Sequence, residues 1–294
     1  MSTIQDQAQR ARHLVGASQL AEELAGARPP VLLDVRFMSN RPDDGLAEYR
    51  RGHLPGALYV DLPADLSSAP VPSAHTGRRP LPRLADLQAT LRRLGLNAPD
   101  QPVVLYDDRK GMSAARGWWV LRWAGLTDVR VLDGALPAWT RAGLPLTTEI
   151  SQPVSGSIVL SGDALPQLDA DGAAALARRG VLVDARDEAS YAGTGSSAEE
   201  SRSGHIPGAI NLPTTGNLAS DGTFLDAAAL RIRFEQAGLL SAAELGIYCG
   251  GGIAATHELV ALASIGVDAA LFVGSWSAWS DDPKRPIATG AGQG

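Results

Sequence analysis

Apolar positions along the chain fall into two recurring patterns. Runs such as VLLDV (31–35), ALYVDL (57–62), VVLYD (103–107) and VRVLD (129–133) are apolar at nearly every position, as expected of strands buried on both faces. Longer stretches, LADLQATLRRLG (84–95) and AARGWWVLRWAG (114–125), space their apolar residues three and four apart and predict helices. Strands alternating with helices predict an α/β fold with a mainly parallel sheet.

The pattern occurs twice. VLLDVR (31–36) returns as VLVDAR (181–186), and GHLPGALYVDLP from Gly52 returns as GHIPGAINLP from Gly204. VVLYDD, ending at Asp108, aligns with LGIYCG, ending at Gly250, and Trp139 faces Trp279 in a fourth matched pair. Four markers in one order, with slowly drifting offsets, predict a tandem duplication with insertions in its loops. The Thr-, Ser-, Pro- and Gly-rich crossing GLPLTTEISQPVSGSIVL places the boundary near residue 150. The expected domains are 12–146 and 158–288, followed by a tail, ATGAGQG, whose composition reads as disordered.

With 294 residues, of which 45% are hydrophobic, the chain is long enough for two cores. A net charge of −6 argues against nucleic acid or an acidic membrane as the main partner. The polar start MSTIQDQAQRARHLVG has no apolar core of signal-peptide length, and no apolar window is long enough to span a bilayer. A cytoplasmic protein with a small molecule or a protein as its partner is the expectation.

The single cysteine, Cys249, excludes an internal disulfide and any cysteine cluster for a metal. It ends an expected strand, LGIY, and is followed by three glycines and an expected helix starting near Ile253 or Ala254. In a parallel sheet the carboxyl ends of the strands meet helix N-termini with unpaired N–H groups, and there the ligand site lies. Glycines let successive N–H groups turn toward one point, an anion-binding nest that suits a thiolate. A cysteine phosphatase would carry an arginine at position 255, where Ala255 stands. No histidine lies in a protease-like signature. A nest without that arginine suits a small anionic group on the cysteine itself, such as a persulfide.

These motifs, the paired GHLPGA and GHIPGA, the strand VLVDAR, the loop CGGGIAA and the late VGSWSAWSDDP, resemble the two-domain rhodanese family of thiosulfate and 3-mercaptopyruvate sulfurtransferases. The resemblance implies two tandem rhodanese-like domains, the first non-catalytic with Asp107 at the position of the cysteine, the second carrying Cys249. It implies transfer of a sulfur from a small anionic donor, thiosulfate first and 3-mercaptopyruvate second, to cyanide or a thiol acceptor, including a protein thiol. Cys249 would carry that sulfur as a persulfide held by the N–H groups of Gly250, Gly251, Gly252, Ile253 and Ala254. No metal or organic cofactor is implied.

The same resemblance marks where this chain departs from its relatives. Gly251 stands where mercaptopyruvate-type loops have a serine, and the loop lacks the basic residues of thiosulfate-type loops. Ser190 aligns with an arginine that binds the donor in relatives. Arg202 lies near a second family arginine and is expected to supply that charge. His53, Asp43 and Asp44 sit where mercaptopyruvate-type enzymes contribute residues from the first domain. Arg186 has a twin in Arg36, which favours an ion pair with the neighbouring acid over donor binding, and His53 has a twin in His205. A sulfur-relay module with little turnover on small donors is the alternative from another class.

Overall fold

A computed structural model describes residues 3–37, 44–195 and 201–294. The chain divides into two compact units, each an α/β layer structure around one parallel five-stranded sheet. The first sheet contains β1 (Leu14–Val15), β2 (Val31–Asp34), β3 (Leu58–Tyr59), β4 (Val103–Tyr106) and β5 (Val129–Leu132), in the order β1-β5-β4-β2-β3. The second contains β6 (Gln167–Leu168), β7 (Val181–Asp184), β8 (Ile210–Asn211), β9 (Leu245–Tyr248) and β10 (Ala270–Phe272), in the order β6-β10-β9-β7-β8. The two orders are the same topology repeated. Helices Leu84–Arg93 and Met112–Trp123 lie where the periodicity places them.

Twinned polar contacts tie the strand ends together in both units. Arg36 grips Asp34 through Nε and Nη2 and donates to the Gly52 carbonyl, as Arg186 grips Asp184 and donates to the Gly204 carbonyl. Both carboxylates are wholly buried, a position tolerable only because each has a guanidinium and a backbone donor. Tyr106 and Tyr248 accept the backbone N–H groups of Leu54 and Ile206 at 3.1 and 3.2 Å. These contacts fasten the two GH(L/I)PG turns, whose histidines are buried and stacked on Tyr49 and Tyr191.

Segments outside the two sheets are placed, in three cases, by contacts remote in the chain. Residues 151–165 pack with the first unit: Ile158 is fully buried, and the Gly156 N–H donates to the Arg92 carbonyl at 2.7 Å. Second, equivalent stretches are exchanged. Ser68–Pro80 packs with the second unit and Leu218–Phe224 with the first. The latter is held where Arg10 reaches both Asp133 and the Phe224 carbonyl. Third, the C-terminal tail is placed on the second unit, with Ala288 paired to His205 and the Gly208 N–H donating to the Gln293 carbonyl. Main-chain hydrogen bonds hold the tail, and composition carries no sign of those.

Candidate active site

Cys249 follows β9, a strand buried at every position, and is 2% exposed. The helix Ala254–Ser264 begins five residues later, and no side chain caps its N-terminus. Between them Gly252 takes φ +78°, a left-handed conformation that turns its N–H back to donate to Cys249 Sγ at 3.1 Å. The Cys249 N–H donates to Ser275 Oγ at 3.2 Å, and that hydroxyl lies 4.0 Å from Sγ while donating to the Phe272 carbonyl. The N–H groups of Trp276 and Ser277 donate to the carbonyls of Cys249 and Gly250, clamping the loop from the other side.

The first unit shows the same loop with its anion already in place. Asp107 follows β4 as Cys249 follows β9, and Lys110 takes φ +51° where Gly252 stands in the other copy. The Asp107 carboxylate accepts N–H groups from Arg109 and Gly111 on one oxygen and from Ser113 and Ala114 on the other, at 2.8–3.1 Å. Burial pushes its carboxyl up to about 7, against the pull of the Ala114, Arg109 and Gly111 N–H groups. The strand–loop–helix of this fold is therefore a cradle for a small anion attached to the residue after the strand. In the first unit that anion is a carboxylate built into the chain; in the second, the position carries a thiol.

Of the side chains expected to bind a donor, Arg202 is engaged with the frame of its own unit. Its guanidinium donates to the carbonyls of Ser280, Arg285, Trp279 and Asp282, closing the C-terminal end of the helix Ser275–Asp281. Arg186 is held by Asp184 and lies over the Trp276 ring at 4.7 Å. Ser190 sits in the first turn of the helix Glu188–Ala192, its N–H and hydroxyl both given to the capping Asp187. His53 places Nδ1 2.7 Å from the Tyr49 carbonyl and Nε2 3.0 Å from the Glu149 carbonyl, and His205 repeats the first of these contacts. Asp44 opens the helix Asp44–Arg51 of the first unit. Asp43 lies outside the described residues.

Three residues that sequence reasoning did not single out stand around the loop. Ser275 is one; its φ of +53° matches that of Ala135 in the twin, so the hydroxyl is what differs between the copies. Arg78 and Arg79 are the others, brought in by the exchanged stretch Ser68–Pro80. A methyl group at Gly251 would meet Arg78 Nε at 3.2 Å and Arg79 Nη1 at 3.3 Å. The adjacent basic pair in HTGRRP was visible, but nothing local said which unit it would join. Among the described residues no group of three or more His, Cys, Asp or Glu is placed to hold a metal, and no helix is long and apolar enough to cross a membrane.

The profile of the "Rhodanese-like domain" matches residues 16–142 and 168–282. The chain is 43% identical over 284 residues to the "Putative thiosulfate sulfurtransferase SseB" of Mycobacterium tuberculosis, covering 96% of this chain and 98% of that one. It is 44% identical over 285 residues to the "Probable 3-mercaptopyruvate sulfurtransferase" of Pseudomonas aeruginosa, covering 94% and 98%. Among solved structures, SseA of Escherichia coli, a 3-mercaptopyruvate sulfotransferase, superposes with a TM-score of 0.77 at 30% identity, covering 90% of this chain and 98% of that one. With the duplicated sheet, the cradle after each central strand and these likenesses together, the chain belongs to the rhodanese family of sulfurtransferases, as two rhodanese-like domains in tandem.

Proposed function

We propose that the protein transfers a sulfane sulfur from thiosulfate to cyanide or a thiol acceptor through a persulfide on Cys249. The observation that carries the reading is the Gly252 N–H donated to Cys249 Sγ at 3.1 Å, in a loop whose twin wraps a carboxylate with four N–H donors. In the first half-reaction the Cys249 thiolate attacks the outer sulfur of thiosulfate. The sulfur–sulfur bond of the donor breaks, its electron pair leaves with sulfite, and a new sulfur–sulfur bond leaves Cys249 as an anionic persulfide. In the second, cyanide attacks the terminal sulfur and departs as thiocyanate, returning the thiolate. A thiol acceptor takes the same sulfur as its own persulfide.

The cradle acts in both steps through preorganised charge. The Gly252 N–H is directed at Sγ before any sulfur arrives, and in this reading the other N–H groups of residues 250–254 join it around the terminal sulfur anion with little reorganisation. Burial of Sγ keeps the persulfide from bulk solvent and from stray thiols. Incubation with thiosulfate followed by intact-protein mass spectrometry tests the reading: one added sulfur atom on the wild type and none on Cys249→Ser is the expected result. A wild type that gains no sulfur refutes it. A second donor, 3-mercaptopyruvate, is favoured by the names of the Pseudomonas and Escherichia relatives, and the same assay run with that donor ranks the two by rate.

A further inference from the structure

We infer that Arg78 and Arg79 form the clamp for the anionic end of the sulfur donor, and that the missing side chain at Gly251 is the room the clamp needs. The inference rests on the sulfur-transfer reading above. Its geometry is independent of that reading. Arg78 Nε and Nη2 and Arg79 Nη1 each lie within 3.4 Å of the point where a Gly251 Cβ would stand, so a serine or a basic residue there would displace them. Both guanidiniums thus stand beside the cysteine loop, where each can donate to the oxygens of one small anion.

The clamp is anchored to the cysteine loop through one residue. The Arg78 N–H donates to Ser277 Oγ at 3.0 Å, while the Ser277 N–H donates to the Gly250 carbonyl at 2.9 Å. Just before it, Gly77 is left-handed at φ +78° and packs so tightly on Gly274 that any side chain would strike the Gly274 carbonyl. The stretch is further pinned where His75 Nδ1 meets Asp281 at 2.9 Å. Arg78 also lines a cavity of about 260 Å³, walled by Pro70 and Val71 on one part and by Thr76, Ser201, Ser277 and Ser280 on the rest, with room for a small oxyanion. Asp281 borders that cavity too, and its carboxylate is taken up by His75.

The duplication supplies an internal control. The equivalent exchanged stretch, Leu218–Phe224, joins the unit without the cysteine; its sequence, LASDGTF, has no basic residue and carries Asp221. Basic side chains are thus found in the exchanged stretch that serves the reactive loop and not in the other. They put positive charge beside a loop that carries none, and Ser190 and Arg202 need supply none of it.

Steady-state kinetics with thiosulfate, alongside single-turnover loading of Cys249 by thiosulfate, read as the persulfide, and by an uncharged dialkyl trisulfide, read as the mixed disulfide or trisulfide formed as alkyl hydropersulfide or alkyl thiolate leaves, tests the clamp. The variant Arg78→Ala/Arg79→Ala is expected to raise the KM for thiosulfate at least tenfold, to flatten the salt dependence of kcat/KM, and to leave loading by the trisulfide within about threefold of wild type. Arg78→Lys/Arg79→Lys should recover most of the lost affinity. Gly251→Ser should raise KM in the wild type but add nothing in the double-alanine background, because the residue it crowds is already gone. An unchanged thiosulfate KM, or equal losses with the charged and uncharged donors, overturns the clamp while sulfur transfer stands. A wild type loaded by neither donor overturns both.

Discussion

The Gly252 amide and Cys249 Sγ form a 3.1 Å hydrogen bond across a three-residue turn, and Gly252 reaches that geometry only with φ at +78°. Left-handed backbone is where glycine has its advantage, yet Lys110 holds the equivalent place in the first unit at φ +51°. The loop therefore tolerates a side chain at some energetic cost. Gly252→Ala is expected to fold, to lose about 1 kcal/mol of stability, and to load sulfur on Cys249 roughly 10-fold more slowly as the donor N–H shifts. Chemical denaturation and single-turnover mass spectrometry measure the two effects; unchanged loading would show that this N–H does not stabilise the sulfur anion.

Asp107 makes the first unit's loop depend on a carboxylate. An asparagine in its place offers one acceptor oxygen where two now serve four N–H groups, and its NH2 would face two of those donors. Asp107→Asn should therefore cost about 2–4 kcal/mol, read as a lower midpoint in urea, with the loading of Cys249 retained in the folded protein. A neutral outcome would mean that the cradle does not need an anion to hold its shape.

Glu258 lies one turn into the helix that follows Cys249, with no solvent exposure. Asn217 Nδ2 donates to its Oε2 at 2.7 Å, and Arg233 in turn donates to Asn217 Oδ1. Burial pushes its carboxyl up from 4.5 to about 7. The folded state therefore holds a proton that the unfolded chain releases. Its contribution to stability is complete below pH ~4.5 and is lost as pH rises to about 7, a fall of about 3 kcal/mol. Asp107, raised to about 7 by burial as well, adds a second share over the same range. Glu258→Gln is expected to reduce the pH slope of the unfolding free energy between pH ~4.5 and 7 without abolishing it. A slope identical to wild type would show that Glu258 stays ionised in the fold.

Arg202 is bonded to four carbonyls at the end of a helix, so its loss should be felt in stability. Arg202→Ala is expected to cost about 2–4 kcal/mol and to leave the thiosulfate KM within twofold of wild type. A sharp rise in KM with little change in thermal midpoint would return Arg202 to the donor site and remove the charge argument for Arg78 and Arg79.

Much of the fold was legible along the chain. Strands β2, β4, β5, β7 and β9 are apolar at nearly every position, and the helices between them keep helical spacing, because both faces of a parallel sheet must be covered. Strands β1 and β6 escaped notice. Each is two residues long, and its pairing is set by the neighbouring strand rather than by a pattern of its own. The twin motifs also foretold Arg36 with Asp34 and Arg186 with Asp184, since partners two residues apart lie at one strand end.

The sequence by itself determined the duplication, the parallel α/β architecture and the place of Cys249 between a buried strand and a glycine-rich turn. These are local matters: apolar periodicity, left-handed glycines and residues a few positions apart. Tertiary structure alone decided which arginines stand beside Gly251. Arg202 lies 47 positions before Cys249 and is closed on helix carbonyls, whereas Arg78 and Arg79, about 170 positions before it, arrive on a stretch that left its own unit. That exchange is governed by the fit of Gly77 on Gly274 and by the hydrogen bond from the Arg78 amide to Ser277, contacts between segments remote in the chain. No periodicity records such a fit, because its complementarity exists only once both surfaces are folded.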